Sequence, residues 1–174
     1  MTERITPEEF GRIWHTFDRS VFKVEMRDRY NVAGEEEWIR KWRAGEQDPS
    51  RAKRPWLDMI RELTEAGKAV QRVRVVTEPH SEYVRFGLSG AGFNVAAGED
   101  IRYLSRQVAE RLDVPAYDWM LVDDRTVLVL PFDDDDRPAG WYDVIDDPAV
   151  AARHAVYREA IWPVAVPFAD YVRR

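Results

Sequence analysis

The sequence predicts an α/β fold: a single mixed sheet of about five or six strands with a C-terminal hairpin, covered by helices. Three observations predict it. A β-branched run, Val70-Gln71-Arg72-Val73-Arg74-Val75-Val76, follows two helical stripes and an earlier alternating segment, the order of a crossover between parallel strands. Trp119 to Phe132 reads as two strands about a turn at Asp123-Asp124-Arg125. The 174 residues are 45% hydrophobic and 12% aromatic, enough for one core without staples, so one domain over residues 1–174 is expected.

The elements follow in order. Thr6 can cap a helix with Pro7 in its first position and Glu9 closing a capping box. Phe10, Ile13, Trp14 and Phe17 then form one stripe, so a helix is expected from about Pro7 to Arg19. Ser20 to Arg27 alternates, with Phe22, Val24 and Met26 opposite Lys23, Glu25 and Arg27, the pattern of a half-exposed strand. Glu35 to Ala44 is a helix with Trp38, Ile39 and Trp42 inward and Gly45 ending it. Glu46 to Lys53 is polar and reads as a mobile loop. Pro55 to Ala66 is the next helix, stopped by Gly67.

Val70 to Thr77 is a strand with Val73 and Val75 on one face. Ser81 to Leu88 fits either a short capped helix or a strand, and Gly87, Gly90 and Gly92 are expected to break regularity. Ala97 to Leu112 fits one continuous helix, or a strand over Asp100 to Leu104 followed by a helix capped by Ser105. The second is preferred because serine suits a cap better than a helix interior. After the hairpin, Asp133 to Gly140 is a polar loop and Trp141 to Ile145 a short strand. Asp147-Pro148 starts a last helix to about Trp162, and Pro167 to Tyr171 is a short tail.

Composition excludes several chemistries. With no cysteine there is no disulfide, thiolate metal site or cysteine nucleophile. MTERITPEEF lacks the apolar stretch of a signal peptide, and no window approaches the length of a membrane span, so a cytoplasmic protein without membrane contact is expected. The net charge of −6 would repel a phosphate backbone, so no direct contact with nucleic acid is expected. His15, His80 and His154 are scattered and give no metal-ligand spacing, and Asp133 to Asp136 lacks the spacing of a calcium loop. The glycines form no phosphate-binding loop, and no G-x-S-x-G elbow exists. No metal, cofactor or catalytic residue is therefore assigned.

Polar groups concentrate between Val70 and Arg106. Arg72 and Arg74 share one strand face, with Glu78 just beyond its end. Arg85, Arg102 and Arg106 can approach Glu78, Glu99 and Asp100 if the two charged clusters are neighbours, and Tyr83 and Tyr103 can line the same space. Two readings stand. One is a pocket gripping a small anion, with Arg72, Arg74, Glu78, Tyr83, Arg85, Glu99 and Arg102 as candidate ligand-binding residues. The other is an arginine–carboxylate network fixing the sheet, favoured because buried arginines are kept only when paired. His80 is read as an exposed loop histidine, and His15 and His154 as surface or boundary residues. Asp118, Asp123 and Asp124 are read as turn formers. Trp38 and Trp42, at i and i+4 beside the polar loop, are a candidate partner surface.

RVRVV, the Pro79…Tyr83-Val84-Arg85-Phe86 group, AGEDIR at Ala97 to Arg102, DWMLVDD at Asp118 to Asp124 and the closing Ala160-Ile161-Trp162…Ala165 occur in one order. On these motifs the chain resembles an actinobacterial family, domain-of-unknown-function family 6879, over nearly its whole length. The resemblance implies a setting beside helix-turn-helix regulators and small acidic partners, and no established activity. The C-terminal half is also similar to half of a phospholipase-D-like fold. That chemistry needs a His with a Lys two residues on, and here the histidines are followed at that offset by Phe17, Glu82 and Val156. The expected function is a non-enzymatic regulatory or interaction protein, partner of a helix-turn-helix transcription regulator and sensor of a small anionic ligand. The alternative is a degenerate phospholipase-D-like enzyme acting on a phosphate ester or nucleotide.

Overall fold

The computed structural model describes residues 2–46 and 50–173, without the side chains of residues 50–53. The chain opens with β1 (Thr2–Ile5), α1 (Pro7–Thr16) and β2 (Ser20–Glu25), then α2 (Glu35–Arg43), α3 (Ser50–Glu65) and β3 (Ala69–Val76). Next come α4 (Glu82–Ala96), β4 (Asp100–Ser105), α5 (Arg106–Arg111) and the hairpin β5 (Asp118–Val122) and β6 (Thr126–Leu130). β7 (Tyr142–Ile145), α6 (Pro148–Ile161), β8 (Val166–Pro167) and α7 (Phe168–Tyr171) close it.

The strands form one mixed sheet in the order β1-β7-β6-β5-β2-β3-β4-β8. β2, β3 and β4 run parallel, joined by helical crossovers; every other neighbouring pair is antiparallel. On one face α5 and α6 cover Phe22, Val24, Val73, Val75, Leu104, Trp119 and Leu121. On the other, α1 and α3 bring Trp14, Leu57 and Ile60 onto Val21, Val70, Met120 and Leu128, while α4 and α7 cover Ile101 and Tyr103. These two clusters meet the same face at different places, which leaves room between them.

Local signals set most boundaries. Thr6 and Glu9 form the capping box: the Glu9 N–H donates to Thr6 Oγ1 at 3.3 Å and the Thr6 N–H to Glu9 Oε2 at 2.8 Å. Ser81, Ser105 and Asp147 cap α4, α5 and α6 as their positions predict. The helix reading of Ser81 to Leu88 and the strand-then-helix reading of Ala97 to Leu112 are the ones adopted.

Other expectations are corrected. The sheet has eight strands, not five or six: β1 and β8 are four and two residues long, too short to show alternation. α1 ends at Thr16 rather than Arg19, because the Asp123 carboxylate takes the backbone N–H groups of Asp18, Arg19 and Ser20 and turns the chain into β2. β2 is central and buried on both faces, not half-exposed; its charged residues face an interior rather than solvent. α3 starts at Ser50, so Pro55 lies within it; of the rest of the expected loop, Glu46 follows α2 outside any helix or strand and residues 47–49 lie outside the described residues. α4 runs unbroken through Gly87, Gly90 and Gly92 because its buried side, Val84, Phe86, Ala91 and Asn94, is held by packing. His154 is buried, its Nδ1 2.9 Å from the Val150 carbonyl oxygen and its ring edge-on to Trp119. Among the described residues, no helix is long and apolar enough to cross a membrane, and no group of three or more His, Asp or Glu could hold a metal ion.

Candidate functional site

The parallel centre of the sheet fixes the site. In register, Lys23 on β2 lies beside Arg72 on β3, and Glu25 beside Arg74. Side chains two apart share a face, so all four project toward the gap between α1, α3 and α4. Glu25 is the hub. Its Oε1 accepts from Lys23 Nζ at 2.8 Å and Arg72 Nη1 at 3.4 Å, and its Oε2 from Arg74 Nη1 at 3.0 Å. Arg72 Nη2 reaches Glu99 Oε2 at 2.8 Å. Glu25, Arg74 and Glu99 are buried.

Above this floor lies a cavity of about 320 Å³. Its walls are mostly aromatic: Phe10 and Trp14 from α1, Trp56 from α3, Tyr83 and Phe86 from α4, and Tyr142 from β7. Tyr30 and Phe132 complete the wall from two loops. Phe10 stacks on Tyr142 with centroids 4.0 Å apart. The Arg74 guanidinium lies 5.4 Å from the ring centres of both Tyr30 and Tyr83, which holds a buried cation between two π faces. Tyr30 is fixed in turn by donating its hydroxyl to Asp118 Oδ2 at 2.5 Å, and Tyr83 by donating to Glu35 Oε2 at 2.6 Å.

Hydrogen bonding on the floor is incomplete. Arg74 Nε and Nη2, Arg72 Nε and Asn94 Oδ1 are buried without partners. Arg74 and Asn94 both line the cavity. Buried polar atoms are nearly always satisfied, so three open donors and one open acceptor around one cavity mark it as a place for a polar guest.

The electrostatics follow from burial and pairing. Burial alone would raise the Glu25 carboxyl, but Lys23, Arg72 and Arg74 together outweigh it and hold it well below the usual carboxylate range. Asp118 is pushed up by burial, which its bonds from Tyr30 and the Met26 N–H only partly offset. Burial also pushes up the hydroxyls of Tyr30, Tyr83 and Tyr103. Lys23, Arg72 and Arg74 are matched in number by Glu25, Glu99 and Asp118.

Of the seven residues expected from sequence, Arg72, Arg74 and Tyr83 line the cavity, and Glu99 lies behind Arg72 as its partner. The other three are elsewhere. Arg102 pairs with Asp100 at 3.4 Å, donates to the Trp162 carbonyl at 3.0 Å and lies over the Trp162 ring. Arg85 donates to the His80 carbonyl at 2.6 Å. Glu78 accepts from the Tyr171 hydroxyl at 3.4 Å, beside His80. Arg106 instead anchors Asp28, Thr77 and the Met26 carbonyl. The expectation that both arginine clusters converge is thus corrected: β4 alternates, so Arg102 falls on the face opposite Tyr103.

Sequence reasoning missed Lys23, Glu25, Tyr30, Asp118 and the wall aromatics. One signal for the first two was present. Lys23-x-Glu25 and Arg72-x-Arg74 stand on strands expected to be parallel neighbours, and complementary charges there belong together. Asp123 and Asp124 do form the turn, both with positive φ, whereas Asp118 is a buried strand residue. His80 is held by the Thr77 carbonyl and the Tyr171 hydroxyl. Trp42 is half-buried, edge-on to Phe86, so it is a weaker partner surface than expected.

A family model described as Domain of unknown function (DUF6879) matches residues 8–173. No curated protein matches the chain in sequence. Among solved structures the fold is similar to TrmBL2, an archaeal chromatin protein with a novel mode of DNA binding, at TM-score 0.50 and 11% identity. That similarity covers 95% of this chain but only 53% of TrmBL2, so the chain spans about half the length of that relative. It is also similar to NucT from Helicobacter pylori, at TM-score 0.50 and 12% identity, over 96% of this chain and 98% of NucT. The second likeness agrees with the phospholipase-D-like resemblance. The first corrects the expectation of no direct contact with nucleic acid: a DNA-binding chromatin protein carries this fold, and a net charge of −6 is too coarse a property to exclude such contact.

Proposed function

We propose that this chain, which belongs to the DUF6879 family, is a cytoplasmic, non-enzymatic regulatory protein of one α/β domain. It senses a small ligand with an anionic or acceptor-bearing head over Arg72 and Arg74, and works with a helix-turn-helix DNA-binding regulator. The observation that carries the sensing role is Arg74: a buried guanidinium on the cavity wall with two nitrogens unpartnered. A purely structural network would be expected to close its own hydrogen bonds. Support for a role beside DNA comes from the likeness to part of a DNA-binding chromatin protein.

The test is affinity purification of the chain from its native host, with mass spectrometry of bound protein and metabolite. Recovery of a helix-turn-helix regulator and a small acid is the expected result. Recovery of neither overturns the proposal.

A second reading, a degenerate phospholipase-D-like enzyme acting on a phosphate ester or nucleotide, draws on the likeness to NucT. The missing His-x-Lys pair weighs against it. Hydrolysis of a bis-aryl phosphodiester above the rate of an Arg74→Met variant would favour it.

A further inference from the structure

Resting on the sensing role above, we infer that the cavity takes a flat aromatic monocarboxylate, its two oxygens held by the Nε and Nη2 edge of Arg74. The geometry of that guanidinium is the first ground. Arg74 donates Nη1 to Glu25 at 3.0 Å, which leaves Nε and Nη2 open. These two nitrogens share one edge of the guanidinium plane, and their paired N–H bonds match the two oxygens of a carboxylate. The side chain is 9% exposed and lines the cavity, so the guanidinium that carries the open edge borders the space a guest would fill.

Charge sets the valence. Lys23, Arg72 and Arg74 face Glu25, Glu99 and Asp118, three against three. A phosphate dianion would leave two uncompensated negative charges in a buried site. A monocarboxylate leaves one, and one proton taken up by the carboxyl groups of the site removes it. The walls set the shape: rings from four elements and two loops favour a planar guest. Asn94 Oδ1, buried and open, accepts from a hydroxyl or N–H on the ring. A volume of about 320 Å³ suits an acid of one or two rings.

Trp14 and Trp56 line the cavity, so intrinsic fluorescence of the intact protein reads occupancy. The probes are benzoate, 4-hydroxybenzoate, phenylacetate, cyclohexanecarboxylate, guanosine monophosphate and inorganic phosphate. At least one aromatic acid should quench saturably, at a Kd of about 1 mM or tighter. Cyclohexanecarboxylate should bind roughly tenfold more weakly, and phosphate should not compete. Arg74→Lys keeps the charge but loses the paired edge, and should weaken the aromatic acid by about tenfold or more. Phe10→Leu removes one wall ring without touching the floor. It should weaken binding by roughly 2–5-fold, which keeps the test open if Arg74→Lys does not fold. Equal binding to the wild type and Arg74→Lys overturns the inference. Binding of the nucleotide or phosphate alone, lost in Arg74→Lys, overturns the carboxylate and leaves the sensing role standing. Binding of no probe, with no small acid recovered from the host, overturns both.

Discussion

Glu25 is the residue on which the middle of the sheet depends. Three cations converge on one buried carboxylate, and among the described residues only Arg72 also hydrogen-bonds a second buried acid. Removing one partner from a buried ionic cluster strands the others. Glu25→Gln is therefore expected to cost about 3–5 kcal/mol, measured by urea unfolding. Arg74→Met should be far milder, within about 1 kcal/mol of wild type, because it also removes two open donors and leaves Glu25 paired to Lys23 and Arg72. The pH dependence has a definite sign. The folded Glu25 carboxyl lies below its unfolded value, so its contribution is present above about pH 4 and is lost as pH falls through the lowered folded value. Thermal melts from about pH 5 down to about pH 2 should thus fall more steeply for the wild type than for Glu25→Gln. Asp118, pushed up by burial, works oppositely: its contribution declines as pH rises through its raised value.

At the scale of elements, the turns matter more than the strands they join. Asp123 closes the β5–β6 hairpin and also accepts N–H bonds from Asp18, Arg19 and Ser20 at 2.8, 2.6 and 2.9 Å, tying that turn to the α1–β2 junction. Asp123→Ala should cost about 2–4 kcal/mol in denaturant unfolding, since bonds to a charged acceptor are the stronger kind. Gly98, between α4 and β4, has φ +106, and a Cβ there would clash with the Thr64 side chain. Gly98→Ala should cost about 2 kcal/mol or more, because left-handed strain adds to the clash with α3. Elements were legible where local chemistry decides them: the Thr6–Glu9 box, the Ser81, Ser105 and Asp147 caps and the hairpin all stand where the residues place them. They were illegible where a distant group decides. The end of α1 is set by Asp123, about a hundred residues away. β1 and β8 exist because β7 and β4 offer them a ladder, not because their own residues alternate.

For the molecule as a whole, half of the candidate site could be read from sequence for a physical reason. Arg72 and Arg74 advertise themselves, being charges in a β-branched run. Their counterparts on β2 look like the solvent face of an ordinary half-exposed strand, and only the packing of α1, α3 and α4 over the middle of the sheet makes that face internal. A ligand that occupies the cavity should stabilise the entire fold, because its floor spans β2, β3 and β5 and its walls come from α1, α3 and α4. At about a hundredfold excess over Kd the gain is about 2.7 kcal/mol, several degrees in a thermal melt. The outer strands carry a different consequence. Residues 2–5 and 166–167 act as bookends, each shielding one flank of peptide groups that would otherwise face water unpaired. Trimming either would uncover a sticky border along β7 or β4 and invite copies of the chain to zip together. Light scattering of nested deletions should register clumping before circular dichroism registers any loss of helix.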